Sequence, residues 1–313
     1  MAYASEGSIE AAHYNAFVTS LNAVWGSGTG VRGLGQSDVV AAVSAGDSVT
    51  AAGWATLLTR LKSLSDHQGN DGNITIDSVT NPAAEDSIAV IANIATDIGT
   101  LDTSAAAGTN GAGFSTAITD TAVVTGSFDG VITQTDTLTF ASANQNRYFW
   151  NGGGKIEVSW AIASATTGAK ATQWTALATE CGTWTIFGRS SSKVGGSATG
   201  TVTQSVTNGF DGFTGSAAQQ FKQTQDTSPY TANHIVLTAA NTSTTVITLS
   251  AIWTDAAADT TGFNKNIYNT QDAVNGNKTT TFKAVPPATT YITASWGTGG
   301  DAPAWATTVN TES

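Results

Sequence analysis

The hydrophobic period of this chain changes once along its length, and that change restricts its fold more than any other feature. Up to about residue 100 the apolar residues step by threes and fours; beyond residue 120 they alternate. The first spacing lines one face of a helix and the second lines one face of a strand. A run of helices followed by a run of strands defines an α+β protein rather than an alternating α/β one.

The helical part repeats itself. Residues 9–24, IEAAHYNAFVTSLNAV, align without a gap on residues 49–64, VTAAGWATLLTRLKSL. Ile9 matches Val49, Tyr14 matches Trp54, Phe17 matches Leu57, Leu21 matches Leu61 and Val24 matches Leu64. Ser8, and Ser48 or Thr50, are placed to cap the first turns, and Gly26 and Gly69 to close the ends in a left-handed conformation. The connector between the two copies contains Gly28, Gly30, Gly33 and Gly35. A third helical pattern covers residues 83–98, with Ile88, Ile91, Ile94 and Ile98 on one side and Pro82 and Asp86 at its start. An amphipathic helix cannot bury its stripe alone. The stripes therefore face one another within a chain or face copies in neighbouring chains; the pattern allows both.

Residues 102–116, DTSAAAGTNGAGFST, are small and glycine-rich, and read as a linker. The expected organisation is a helical hairpin or bundle over 1–101, the linker at 102–116, and a β domain over 117–313. In the β part Leu138 and Phe140 alternate with threonines, and Ile156, Val158, Trp160 and Ile162 share one face. Further strands are expected at 183–188, 201–206, 234–239, 245–253 and 290–296, with one helix at 170–181 turning Trp174 and Leu177 inward. Many short alternating strands separated by turn residues predict an antiparallel β-sandwich, jelly-roll-like. Seven of the nine tryptophans lie beyond residue 120, so the larger core is expected there.

Charge narrows the function. Only 11% of the residues are charged, against roughly 25% in an ordinary soluble domain. The net charge is -11, and the 12 Lys and Arg form no run or stripe. Nucleic-acid binding needs a basic face to neutralise phosphates, so it is excluded as the main function. No window approaches the ~18 apolar residues of a membrane span, so no membrane insertion is expected. The first residues, MAYASEGSIEAA, have neither the basic start nor the apolar core of a signal peptide.

One stretch looks like chemistry. Residues 147–160, RYFWNGGGKIEVSW, place three glycines before a lysine. A Walker-type phosphate loop needs Gly, four residues, Gly-Lys and then Ser or Thr. Here Phe149 stands at the first glycine position, Ile156 stands where the hydroxyl belongs, and a strand rather than a helix follows. The expected structure is a tight turn between two strands. Tyr148 and Trp150 would share a face of the first strand, and Lys155 would lie on the solvent face near Glu157.

The remaining candidates are weaker. His13, His67 and His234 have no metal-ligand spacing. His67 stands at a helix end, where capping or packing is expected. Asn70-Asp71-Gly72-Asn73 lacks the ligand series and closing glutamate of a calcium loop and reads as a turn. The single cysteine, Cys181, reads as a packed residue rather than a nucleophile. No GxSxG element is present, and the acidic residues are scattered. The expectation is a protein that is not an enzyme, with no catalytic, cofactor or metal residues.

Four ordered stretches carry a family resemblance. They are the duplicated helix ending in Asp66-His67-Gln68-Gly69; Arg147-Tyr148-Phe149-Trp150-Asn151 with its glycines; Gln173-Trp174-Thr175-Ala176-Leu177 followed by Gly182-Thr183-Trp184-Thr185-Ile186; and Ser228-Pro229-Tyr230-Thr231-Ala232-Asn233, followed by the strand to Trp253 and Asp255. In this order the chain resembles a group of tailed-bacteriophage virion proteins, common in marine and cyanobacterial phages. It departs from that pattern in its Thr/Ser/Gly-rich inserts at Ser190–Gly200 and Asn208–Gly215. The resemblance implies a non-enzymatic part of the virion, and the leading reading is a structural subunit: a neck or collar fibre, a tail appendage or a capsid decoration. Together with the helical repeat, the linker and the β domain, this reading predicts a homo-oligomer, with other capsid, neck or tail proteins as partners. Two other readings stand beside it. The chain could be a carbohydrate-binding adhesin that meets host surface glycans through Tyr148, Trp150 or Trp305, or a hydrolase if the fold gathers two carboxylates.

Overall fold

The computed structural model describes residues 11–70, 74–75, 91–163, 168–188, 190–196, 201–204, 213, 215–257, 274–306 and 309–312. The chain is α+β, with helices on the N-terminal side and two antiparallel sheets mostly on the C-terminal side. It forms two compact units that exchange segments. One comprises Met1–Ser115, Ser142–Gly154 and Pro286–Ala302, and the other Thr116–Ala141, Lys155–Val285 and Pro303–Ser313.

The first unit holds helices α1 (Ala11–Trp25), α2 (Ala51–Gln68), α3 (Ile91–Ala106) and α4 (Ala143–Asn151). The repeated stripes face each other within one chain. Tyr14 and Trp54, equivalent in the two copies, meet with ring centroids 5.9 Å apart, and Phe17 lies 6.3 Å from Trp54. Leu21, Leu57, Leu61 and, from α3, Leu101 are fully buried. Thr50 caps α2 by accepting from the Gly53 amide at 3.1 Å, and Gly69 closes it at φ 69°. Gly26 does not close α1 in the same way; the left-handed residues come later, at Gly28 and Gly30. Two asparagines on α1 hold the connector as a paired strand would. Asn15 exchanges two hydrogen bonds with the Val43 backbone, and Asn22 two with Val40, all between 2.8 and 3.0 Å. The side-chain amide carries the same donor and acceptor as a peptide group.

The third helix extends further along the chain than expected. It runs eight residues past Ile98, burying Ile94, Ile98, Leu101 and Ala105, while Ile88 lies outside the described residues. The first part of the expected linker is therefore helix. The next part is fixed, because the Gly111 and Ala112 amides both donate to the His67 carbonyl at 2.9 and 3.1 Å.

The second unit contains β1 (Ile118–Val124), β2 (Val131–Thr139), β3 (Lys155–Ala163), α5 (Ala169–Cys181), β4 (Thr183–Phe187), β5 (Ser191–Val194) and β6 (Val202–Gln204). It continues with β7 (Ala218–Thr224), β8 (His234–Ser243), β9 (Val246–Thr254), β10 (Asn277–Val285), β11 (Ala304–Trp305) and β12 (Val309–Glu312). One sheet has the order β1-β10-β3-β4-β5, and the other β11-β2-β9-β8-β7-β6, with β12 also on β2. Every pair is antiparallel. Alternation holds along β2, β3 and β9, with Ile156, Val158 and Trp160 inward as their spacing required.

The two sheets pack as a sandwich. Trp184 of β4 lies 4.5 Å from Phe221 of β7 and 4.9 Å from Trp160. Gln134 staples the layers: Nε2 donates to the carbonyls of Ala122 and Lys278, and Oε1 accepts from Thr280 and from Trp253 Nε1. A buried amide with all these bonds made carries no desolvation deficit and fixes the pairing of the layers. Helix α5 turns Trp174 onto Phe128 and Trp253, at 5.1 and 6.1 Å, and buries Leu177, as the sequence predicts.

Three strand-level expectations need correction. Residues 290–296 form no strand; they belong to the first unit, where Gln36 bonds the Thr293 amide, the Thr293 carbonyl and the Ser295 hydroxyl. The insert at Ser190–Gly200 contributes β5, and most of Asn208–Gly215 lies outside the described residues. Trp150 and Trp296 pack in the first unit, so the tryptophans divide between two cores.

Candidate functional site

The RYFWNGGG stretch is not a strand and turn. Residues 143–151 form helix α4, started by the Ser142 side chain accepting from the Gln145 amide at 3.2 Å. Alternation over five residues is too short to distinguish the two periods. The helix is embedded, with every residue from Asn146 to Asn151 buried, so each polar group needs a partner. Arg147 donates from Nη1 to the Gly30 carbonyl at 2.8 Å and from Nη2 to the Ser27 carbonyl at 2.6 Å. Its guanidinium also lies over the Tyr148 ring. Asn151 donates to the carbonyls of Val31 and Gly33, and Trp150 to Asn146 Oδ1. The motif thus grips the glycine-rich connector that joins the helical repeats.

The glycines after α4 are required by contact. Gly153 adopts φ 86°, and a β-carbon there would run into Asn110 and the Gly108 carbonyl. A β-carbon at Gly154 would stand 2.7 Å from the Phe149 carbonyl oxygen. The Gly152 carbonyl accepts from His67 Nε2 at 2.9 Å. The run is a close-packing device between helices. Lys155, the first residue of β3, pairs with Glu157 at 2.7 Å; both are partly buried rather than on an open face.

His67 is fully buried, and burial lowers its pKa below the usual histidine value. It packs and fastens, but through Gly152 rather than by capping the last carbonyls of its own helix. His234 bonds the Ala232 carbonyl at 2.8 Å, and burial lowers its pKa as well. Cys181 is fully buried, which pushes its thiol far up and away from nucleophilic use. Positions 71–73 of the calcium-like turn lie outside the described residues. Among the described residues no three His, Cys, Asp or Glu stand together as metal ligands, and no helix is long and apolar enough to cross a membrane. Tyr148 and Trp150 are buried, so neither presents a face to a sugar. Trp305 is partly exposed, with Nε1 donating to the Ile118 carbonyl and its ring against Phe282.

Two clusters in the second unit were not singled out from the sequence. Asp136 points inward from β2 and is 1% exposed. Desolvation first, then a hydrogen bond to Asp120 of β1, raise its pKa to about 7. The hydrogen bond holds Asp136 against Asp120 between the sheets. The other cluster joins three elements. Lys170, in the first turn of α5, places Nζ 2.7 Å from Asp255 Oδ2 and 3.6 Å from Asp129 Oδ1. Both clusters left a trace in the sequence. Asp136 occupies the apolar phase of Ile132 and Leu138, and Lys170 lies four and seven residues before Trp174 and Leu177, on the buried face.

In the first unit a groove of about 280 Å³ runs between α1 and α3, lined by Ala16, Phe17, Ser20, Ala95, Ile98 and Gly99. Its charged members, Arg32 and Asp102, pair with each other. No family model, curated protein or solved structure matches the chain.

Proposed function

We propose that the chain is a non-enzymatic structural subunit of a tailed-phage virion, a homo-oligomer assembled through its helical unit and carrying the β-sandwich as a neck or collar fibre, tail appendage or capsid decoration. One observation carries this reading. The residues of the family-like stretches serve as internal fasteners: Arg147, Tyr148 and Asn151 on the connector, His67 on Gly152, and Trp174 and Trp184 in the sandwich core. An enzyme family's shared motif tends to surround a cleft; a structural family's shared motif maintains a shape. The low charge and the Thr-rich strands also suit a particle-borne surface.

Mass spectrometry of purified particles from a phage encoding this chain, followed by locating its density in the intact particle, tests the proposal. The expected result is a stoichiometric component at a symmetric position. Absence from particles, together with a monomeric purified chain that binds no other virion protein, would overturn it.

A further inference from the structure

The Lys170 cluster is arranged for a covalent reaction. The Lys170 side chain is 1% exposed and that of Asp255 is 0% exposed, while Asp129 is 65% exposed. The surroundings are apolar and aromatic, with Phe128 adjoining Asp129, Trp253 two residues before Asp255, and Trp174 one turn after Lys170. The reactants are held by backbone bonds. The Asp255 amide donates to the Gly130 carbonyl at 2.7 Å, and Asn233 Oδ1 accepts from the Ala256 and Ala257 amides at 3.0 and 2.8 Å. Nζ stands 2.7 Å from Oδ2, so the amine and the carboxyl group are in direct contact.

A dry lysine–aspartate pair disfavours both charges, so moving the proton from Nζ to the carboxyl relieves the desolvation of both groups. Desolvation raises the Asp255 pKa, against the opposing pull of Lys170. Such a transfer would leave a neutral amine against a neutral carboxylic acid, a nucleophile and an electrophile in contact.

We propose that Lys170 and Asp255 condense into an intramolecular isopeptide bond. The Nζ lone pair attacks Cγ of the protonated Asp255 carboxyl and forms the new N–C bond. Asp129 accepts a proton from Nζ and returns it to the departing hydroxyl. The C–O bond breaks and one water leaves. Nothing is oxidised or reduced, and no external reagent is consumed. The product ties the start of α5 to the end of β9 and encloses β4 through β9 in one covalent ring. The same buried contact that would be a marginal ion pair becomes a permanent brace of the sandwich.

Intact-mass spectrometry of the purified full chain, after confirming its fold by circular dichroism, tests this directly. The expected mass is lower than that of the sequence by one water. Tandem spectra of a digest should show a branched peptide joining the Lys170 and Asp255 segments, resistant to hydroxylamine. Lys170→Arg should restore the full mass, and Asp129→Asn should leave a folded chain that condenses slowly or not at all. A folded wild-type chain at full mass would overturn the proposal. So would a water deficit that hydroxylamine reverses, which would be a succinimide at an Asp-Gly site such as Asp129-Gly130. An unchanged rate in Asp129→Asn would remove Asp129 as the base. The outcome does not depend on whether the chain resides in a virion.

Discussion

Replacing Asp136 with asparagine should stabilise the second unit at pH 8. The carboxyl is 1% exposed and hydrogen-bonded to Asp120 between the sheets. Its folded pKa is raised, so its stabilising contribution is complete below about pH 4 and is lost as the pH rises through about 7. Above that, folding requires either an uncompensated buried charge or a proton taken from a dilute solution. Each tenfold change in proton affinity is worth about 1.4 kcal/mol, so the displacement from 3.8 to about 7 sets a ceiling of roughly 4 kcal/mol. Asp120 is partly exposed and gives water a route to the pair, which reduces the expected effect to about 2 kcal/mol. Asparagine keeps the shape, donates to the Asp120 carboxylate and does not titrate. For a unit of this size about 2 kcal/mol corresponds to a rise of roughly 4–8 °C in Tm. Differential scanning calorimetry of both proteins between pH 4 and 9 measures it. The parent transition should fall with rising pH, and the Asp136→Asn transition should lose most of that slope. Parallel curves with no gain at pH 8 would show that burial does not raise the Asp136 pKa.

Three further outcomes follow from the first unit. Arg147→Lys should cost about 2–3 kcal/mol in urea unfolding, because one ammonium cannot reach both carbonyls that the guanidinium fork holds; a loss below about 0.5 kcal/mol would remove the fastening role. Gly153→Ala and Gly46→Ala both place alanine at positive φ, but only Gly153 meets neighbouring atoms. The first should cost about 3 kcal/mol and the second about 1 kcal/mol, and equal costs would contradict the contact argument. His67, whose pKa burial lowers, contributes stability that is present above its unfolded value of 6.5 and is lost as the pH falls through its lower folded value; an imidazole NMR titration should find its pKa below that of the same histidine in the unfolded chain, and an equal or higher value would refute the burial argument.

The period of the hydrophobic pattern was enough to define the fold class, because a buried stripe repeats with the geometry of its backbone whatever it packs against. The helical repeat, the position of α5 and the inward face of β3 were legible for the same reason. Local geometry also sufficed to reject a phosphate loop at Gly152–Gly154, since the strand that follows is written in Ile156, Val158 and Trp160. The same stretch marks where local reading stops. Arg147–Asn151 alternates over too few residues to declare a helix. Its burial is set by Ser27, Gly30, Val31 and Gly33, more than a hundred residues earlier. The Asp136–Asp120 pair and the Lys170 cluster left only single polar residues on apolar faces. What those residues meet is a property of strand order and helix docking. Asp120 reaches Asp136, and Lys170 reaches Asp255, only after the sheets have closed. The sequence alone determined which faces are buried, because burial follows periodicity. Tertiary structure decided which buried polar groups meet, because their pairing depends on contacts between segments far apart in the chain.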